Sequence, residues 1–414
     1  MKASRRECTW FWLPLAVIAL HVIDDSFMQP ERGTSAGDHL VSGFVPLALL
    51  AIAAAGFSQL RPGGRAALAM VMGLLGLAAG AEAVHAAISA TPSRDDYSGF
   101  IAIPAAFVLT VFGSAALWRS RNNSGRRVRR YARRSCIGIV GVGVSYNLLL
   151  PVVAFYTLTH TAPRSVPQAN LGTSFEEVTF DSSDGLKLTG WYIPSTNGAA
   201  VIAFPGRSST QAHARMLARH GYGVLLFDPR GEGDSEGDPN PLGWGGDRDL
   251  SAAIAFLQAR PDVDDHRIGG LGLSVGGELL LHEASQNDAL RAVVSEGAGI
   301  RSVREHMETS GFARWSQLPA LLAITSSVAV FSNEGPPPNL EKLVARIAPR
   351  PVFLIYSTKG TGGEHLNPKY YAAAGEPKTI WAISEGGHMG GITTHPQEYE
   401  ERVIRFFDDA LLGG

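Results

Sequence analysis

At 414 residues, 45% of them hydrophobic, the chain is long enough for two or three domains and apolar enough for a large core or for membrane spans. Charge is uneven: residues 1–134 hold 15 Lys+Arg against 8 Asp+Glu (+7), the remainder 21 against 30 (−9), and together they give the net −2. The acidic C-terminal part argues against nucleic acid as its partner, because a phosphate backbone demands clustered cations. Only Cys8 and Cys136 exist, which excludes a disulfide framework and a cysteine zinc site.

Near-continuous apolar runs lie at 9–23, 40–57, 66–90, 99–118 and 136–158. A bilayer core of about 30 Å needs roughly 20 apolar residues per helix, so these runs predict five spans and an N-terminal helical bundle over residues 1–160. The first run follows "MKASRRE" without a small-x-small cleavage site and reads as an uncleaved anchor. Alternate short loops differ sharply in charge. Lys2, Arg5, Arg6, Arg61, Arg65 and the eight arginines of "RSRNNSGRRVRRYARR" make 13 cations on one side, against Arg32 and Arg94 on the other. Positive charge stays in the cytoplasm, so five spans predict a multi-pass membrane protein whose C-terminal domain faces away from it.

Ionisable residues gather toward the outer helix ends: His21 and Asp24, Asp38 and His39, Glu82 and His85. Glu82 and His85, at i and i+3, share a helix face. A metal or proton site is one reading; the other is helix-end residues at the headgroups with Glu82 and His85 paired. The outer loop between the first two runs carries "GTSAG", a G-x-S-x-G pattern around Ser35. No strand precedes it and no helix of its own follows, so it reads as a turn.

After the linker 161–174, "TAPRSVPQANLGTS", the pattern changes. "FEEVTF" and "LKLTGWYI" flank Asp184-Gly185 as a hairpin. Short apolar runs then alternate with helical ones: "AAVIAF", a helix near 210–220, "GVLLFD", a helix near 247–259, "RIGGLGL", a helix from Gly276, "RAVVSE", "PVFLIYS", a helix near 368–374, "TIWAIS" and a helix near 396–412. Such alternation predicts an α/β domain over 175–414 with a mostly parallel sheet covered on both faces.

A second G-x-S-x-G pattern, "GLSVG", places Ser274 where a strand turns into a helix. A serine there is lifted clear of the sheet, Gly272 and Gly276 make room for it, and the Val275 amide can donate to a developing oxyanion. Its hydroxyl needs a base. His388 in "ISEGGHMGG" follows the last strand and is best placed; His365 and His395 are weaker candidates, and His213, His220, His282 and His306 read as helix-surface residues. The acid that orients the imidazole is expected at Glu364, after "PVFLIYS", with Glu296, at the end of "RAVVSE", as the alternative.

With "GLSVGG", "FDPRGEGDSEG" and "GGHMGG", residues from about 175 to 412 resemble the α/β-hydrolase superfamily in its serine esterase, lipase and peptidase-like branch. The resemblance implies an α/β-hydrolase fold and hydrolysis through a serine, with Asp228 and Arg230 as scaffold. It departs in two places. Pro205-Gly206 stands where the family has His-Gly, which would make the Arg207 amide the second oxyanion donor, and the acid is Glu where Asp is usual. Such families often insert a cap, here about 297–350, whose "LPALLAITSSVAVF" is too short for a span; it reads as a cap helix packed on the domain, offering an apolar wall or a membrane-resting surface. The expectation is a membrane-anchored serine hydrolase of a small-molecule or lipid-like acyl substrate, needing no metal or organic cofactor. A serine peptidase and a non-enzymatic transport or sensor protein with a hydrolase-fold outer domain are the alternatives.

Overall fold

The structure, a computed structural model, describes all residues except 1–2, 31–32, 90–95, 120–135, 137–140, 142, 161–165, 310, 312, 333, 361 and 414. The chain divides into two compact units, Met1–Arg164 with Trp315–Glu334, and Ser165–Arg314 with Gly335–Gly414.

The first unit is helical: α1 (Arg5–Ile23), α2 (Leu40–Phe57), α3 (Pro62–Ser89), α4 (Asp96–Arg119) and α5 (Leu150–Thr159). Ser4 and Glu7 cap the start of α1 reciprocally, which satisfies amides the helix cannot. Among the described residues four stretches are long and apolar enough to cross a membrane: Arg5–Met28, Leu40–Phe57, Pro62–Gly80 and Tyr97–Trp118. The fifth predicted run is described chiefly over a shorter apolar helix, Tyr146–Tyr156; 137–140 and 142 lie outside the described residues, as do Arg32, Arg94 and the arginine-rich loop beyond Arg119. Small residues let α3 and α4 touch backbone to backbone. A Cβ at Gly73 would sit 2.8 Å from the Ala106 carbonyl, and one at Gly80 2.9 Å from that of Gly99.

His21 is buried with both ring nitrogens engaged, by the Ser98 hydroxyl at 2.9 Å and the Ala79 carbonyl at 3.2 Å. His39 is bonded to the Thr34 hydroxyl at 2.8 Å. Asp24 accepts from the Gln29 amide. Glu82 and His85 lie on α3, and their side chains are outside the described set.

The second unit is built on one eight-stranded sheet: β1 (Glu176–Asp181), β2 (Lys187–Ile193), β3 (Ala200–Phe204), β4 (Gly223–Phe227), β5 (Ile268–Leu273), β6 (Leu290–Glu296), β7 (Val352–Ser357) and β8 (Lys378–Ile383). Their order is β1-β2-β4-β3-β5-β6-β7-β8, with β2 antiparallel to both neighbours and all pairs from β4 to β8 parallel. Helices α6 (Gln211–Arg219), α7 (Gly246–Gln258), α8 (Val275–Ala284) and α10 (Pro396–Phe407) accompany it. The central strands β3, β4 and β5 are buried at every position, which is why their sequences read as unbroken apolar runs. One face packs Leu250, Ile254 and Leu280; the other packs Leu217, Val403 and Phe407.

The expected cap helix is the main architectural departure. Helix α9 (Ala313–Phe331) runs 19 residues, longer than its 14-residue apolar core, and Trp315–Glu334 groups with the helical unit rather than with the α/β domain. Its C-terminal end packs there: the Phe331 ring meets Tyr156 edge-on at 5.0 Å, within a cluster that includes Ala79, Val152 and Val330. An apolar helix seeks any apolar face, and the nearest one in sequence need not supply it.

Candidate active site

Strand β5 ends at Leu273 and α8 starts at Val275, so Ser274 must reverse the chain alone. It does so at φ 51° and ψ −122°, a region that L-residues with a Cβ avoid. Two glycines flank it by necessity. A Cβ at Gly272 would lie 2.5 Å from the Gly276 carbonyl oxygen, and one at Gly276 would lie 2.6 Å from that of Phe204. The Ser274 amide donates to the Glu296 carbonyl at 2.7 Å, which ties the turn to the neighbouring strand.

His388 sits in the loop after β8, between Gly386 at φ 85° and Met389 at φ 55°. Its Nε2 is 2.8 Å from Ser274 Oγ, and its Nδ1 is 2.6 Å from Glu364 Oε1. Glu364 opens a single 3₁₀ turn after β7 and is 1% exposed; its second oxygen accepts the Ser357 amide at 2.7 Å. Three residues from distant parts of the chain thus form one hydrogen-bonded line. The Glu364 hydrogen bond raises the His388 pKa above the ordinary imidazole value, aided by the charges of Glu364, Glu296 and Glu278 and opposed by burial.

Glu296 is not in that line. Its carboxyl is buried and accepts the Gly391 amide and the Tyr399 hydroxyl, each at 2.8 Å, and burial pushes its pKa up. His365 is exposed, and His395 pairs with Glu385. His220 is exposed beside Glu400, as a surface residue should be. His213 and His306, expected on helix surfaces, are buried instead. His306 Nε2 is bonded to the Arg314 carbonyl. His213 lies 4.0 Å from Glu296 with no hydrogen bond to either ring nitrogen, and burial pushes its pKa down to about 4. The signal was present in the sequence: His213, Met216 and Leu217 share the buried stripe of α6 at i, i+3 and i+4.

The two expected oxyanion donors fare differently. Val275 opens α8, where an N–H has no intrahelical acceptor, beside Ser274 on the wall of a cavity. The Arg207 amide is already spent: it donates to Asp228 Oδ1 at 2.9 Å, while its guanidinium bonds Asp228 Oδ2 and Asp234. Position 207 is therefore corrected to a scaffold residue. The "DPRGEG" loop is scaffold as expected, with Arg230 held by Asp249 and Asp184. Ser35 is an exposed turn residue that donates to Asp38 at 2.7 Å. The only grouping of metal-competent side chains among the described residues is Asp264, Asp265 and His266, all exposed and away from this line in sequence.

The cavity beside Ser274 measures about 230 Å³ and is walled by Phe204, Pro241, Trp244, Leu279 and Met389. Arg230, Glu232 and Asn240 add polar edges.

Residues 195–350 match the X-Pro dipeptidyl-peptidase (S15) family, a span that contains Ser274 but neither Glu364 nor His388. The chain is 29% identical to Escherichia coli O157:H7 YfhR over 254 residues, 58% of this chain and 82% of that protein. It is 29% identical to the Aspergillus aculeatus thiohydrolase aneE over 193 residues, 43% of this chain and 58% of that one. The Pyrococcus furiosus esterase Pf2001 aligns in structure over 60% of this chain and 98% of its own, at 25% identity and a TM-score of 0.49. The order of the eight strands and the turn that joins β5 to α8 give the C-terminal part of this chain an α/β-hydrolase fold.

Proposed function

We propose that this protein is a membrane-anchored serine hydrolase that cleaves a carboxylic ester or related acyl bond through an acyl-enzyme. The observation that carries the reading is the line Ser274 Oγ, His388 Nε2, His388 Nδ1, Glu364 Oε1, with links of 2.8 and 2.6 Å. Ser274 Oγ attacks the acyl carbon while its proton passes to His388 Nε2. Glu364 holds the ring and stabilises its cation. The Val275 N–H donates to the oxyanion. Collapse breaks the acyl–leaving-group bond, and His388 returns the proton to the departing oxygen. Water then attacks the acyl-enzyme, giving its proton to His388, and Ser274 leaves with that proton as a hydroxyl.

The cavity of about 230 Å³ is smaller than sites that enclose drug-sized ligands, roughly 300–1,000 Å³, which favours a short acyl group. Acetyl, butyryl, octanoyl and palmitoyl p-nitrophenyl esters test this: kcat/KM should peak at the shorter chains, and a palmitoyl optimum would refute it. The decisive experiment is labelling by a fluorophosphonate probe, expected for the wild type and for Ser35→Ala and lost in Ser274→Ala. Equal labelling of Ser274→Ala would sink the assignment. A peptidase reading draws on the S15 match over 195–350, and an X-Pro anilide turned over faster than any ester would establish it. The four apolar stretches support the anchor; with the run 136–158 as a fifth crossing, the loop charges support an extracytoplasmic hydrolase.

A further inference from the structure

The helical unit contains a cavity of about 1,080 Å³ at the end of the helices that carries Arg5, Arg6, Arg61 and Arg65. Its walls are of two kinds. Trp10, Phe57, Phe107 and Phe112 are apolar, and Trp10 and Phe107 are largely exposed on the unit's surface. The polar rim is made by Arg6, Glu7 and Arg65. Arg65 is in the first turn of α3, and its side chain is only 5% exposed. Its Nη1 reaches Glu7 Oε2 at 3.2 Å, yet that oxygen also accepts the Ser4 amide at 2.9 Å. The Arg65 Nε is fully buried with no acceptor.

A buried guanidinium donor without an acceptor is costly, and the planar fork of arginine suits phosphate oxygens. The first turn of α3 adds a positive dipole end at the same place. A free anion would meet the accessible edge of the Arg65 guanidinium but leave the aromatic walls uncovered. An amphiphile satisfies both. We infer that this cavity binds one acidic phospholipid of the bilayer, its phosphate on Arg65 and Arg6 and an acyl chain along Phe107 and Phe112. The inference rests on the membrane reading above and is independent of the serine chemistry.

The test uses the full-length protein. Recovery in carbonate-washed membranes checks the membrane reading; a soluble protein overturns that reading and the lipid site with it. From membranes, the protein is moved into neutral detergent, and retention of phosphatidylglycerol or phosphatidylcholine is read by native mass spectrometry. Phosphatidylglycerol should be preferred, and Arg65→Gln should weaken its binding about tenfold, the scale of one charge-assisted hydrogen bond. Arg6→Gln, which leaves the Arg65–Glu7 pair intact, should weaken it about fivefold. Ala116→Phe, which fills the apolar wall, should weaken both lipids. Arg61→Gln, at the same end but outside the cavity, should change little. Should Arg65→Gln fail to give a monodisperse protein, Arg6→Gln and Ala116→Phe decide. A membrane-bound protein that holds the two lipids equally, or loses as much with Arg61→Gln as with the cavity variants, overturns the lipid site alone. Displacement of the lipid by millimolar inorganic phosphate would assign the site to a free anion and overturn it too.

Discussion

At His388, geometry and protonation pull in different directions. The Glu364 hydrogen bond orients the ring but also raises its pKa, and only the neutral imidazole can accept the Ser274 proton. Between the ordinary value near 6.5 and the raised one, more of the enzyme is protonated and idle. The acid limb of kcat/KM is therefore expected above the ordinary imidazole value. Glu364→Gln should shift that limb downward and cost about 10⁴-fold in kcat, as when a triad acid loses its charge. Glu296→Gln should cost far less, because the Glu296 carboxyl bonds Gly391 and Tyr399 rather than His388. A larger loss at Glu296 would move the acid there. The pKa of His213 is shifted in the opposite direction to that of His388, and the residue carries a stability prediction. Its pKa is depressed to about 4, so the unfolded chain binds more protons between roughly pH 6.5 and 4 and the native state weakens as pH falls through that window. Thermal unfolding of His213→Leu should lose less between those pH values than the wild type does; equal loss would show that His213 has no part in acid sensitivity.

Among the elements, the turn from β5 to α8 stores strain that the flanking glycines make possible. Ser274→Ala keeps the Cβ and hence the strain at φ 51°; Ser274→Gly relieves it. A glycine ordinarily loses stability through its freedom in the unfolded chain. Here the glycine variant should melt at least as high as the alanine one, and a clearly lower melting temperature would show that the turn carries little strain. Gly276→Ala pushes a Cβ to within 2.6 Å of the Phe204 carbonyl and the Pro205 ring, so it should lower both the melting temperature and probe labelling. Helix α9 shows how far element reading carries. Its apolar content was plain in "LPALLAITSSVAVF", but its extension to 19 residues and its partners Ala79 and Tyr156 were not. A nearly all-round apolar helix has no stripe to declare the face it will cover.

For the whole molecule, the proposed membrane anchoring carries a prediction of sidedness. Loop charges of 13 against 2 predict that protease added to spheroplasts cuts between Thr161 and Ser174 while the arginine-rich loop is protected. Cleavage only after permeabilisation would place the hydrolase in the cytoplasm and require an even number of crossings. Much of this architecture was legible in the chain itself. Unbroken apolar strands announced a sheet buried on both faces, because β3, β4 and β5 have no solvent side to encode. Ser274 was readable because its constraint is local: a single residue between strand and helix, with glycines on either side, leaves few backbone solutions. Sequence by itself thus determined the elements, the nucleophile turn and the candidate histidine and acid. Tertiary structure alone decided the rest. It set Glu364 rather than Glu296 on His388, although one follows a strand and the other ends a strand of the same sheet. It consumed the Arg207 amide with Asp228, 21 residues away, and it gave α9 to the helical unit. Those outcomes depend on which side chain reaches a partner first across strands and loops. That is a matter of distances of an ångström or two, which no spacing along the chain records.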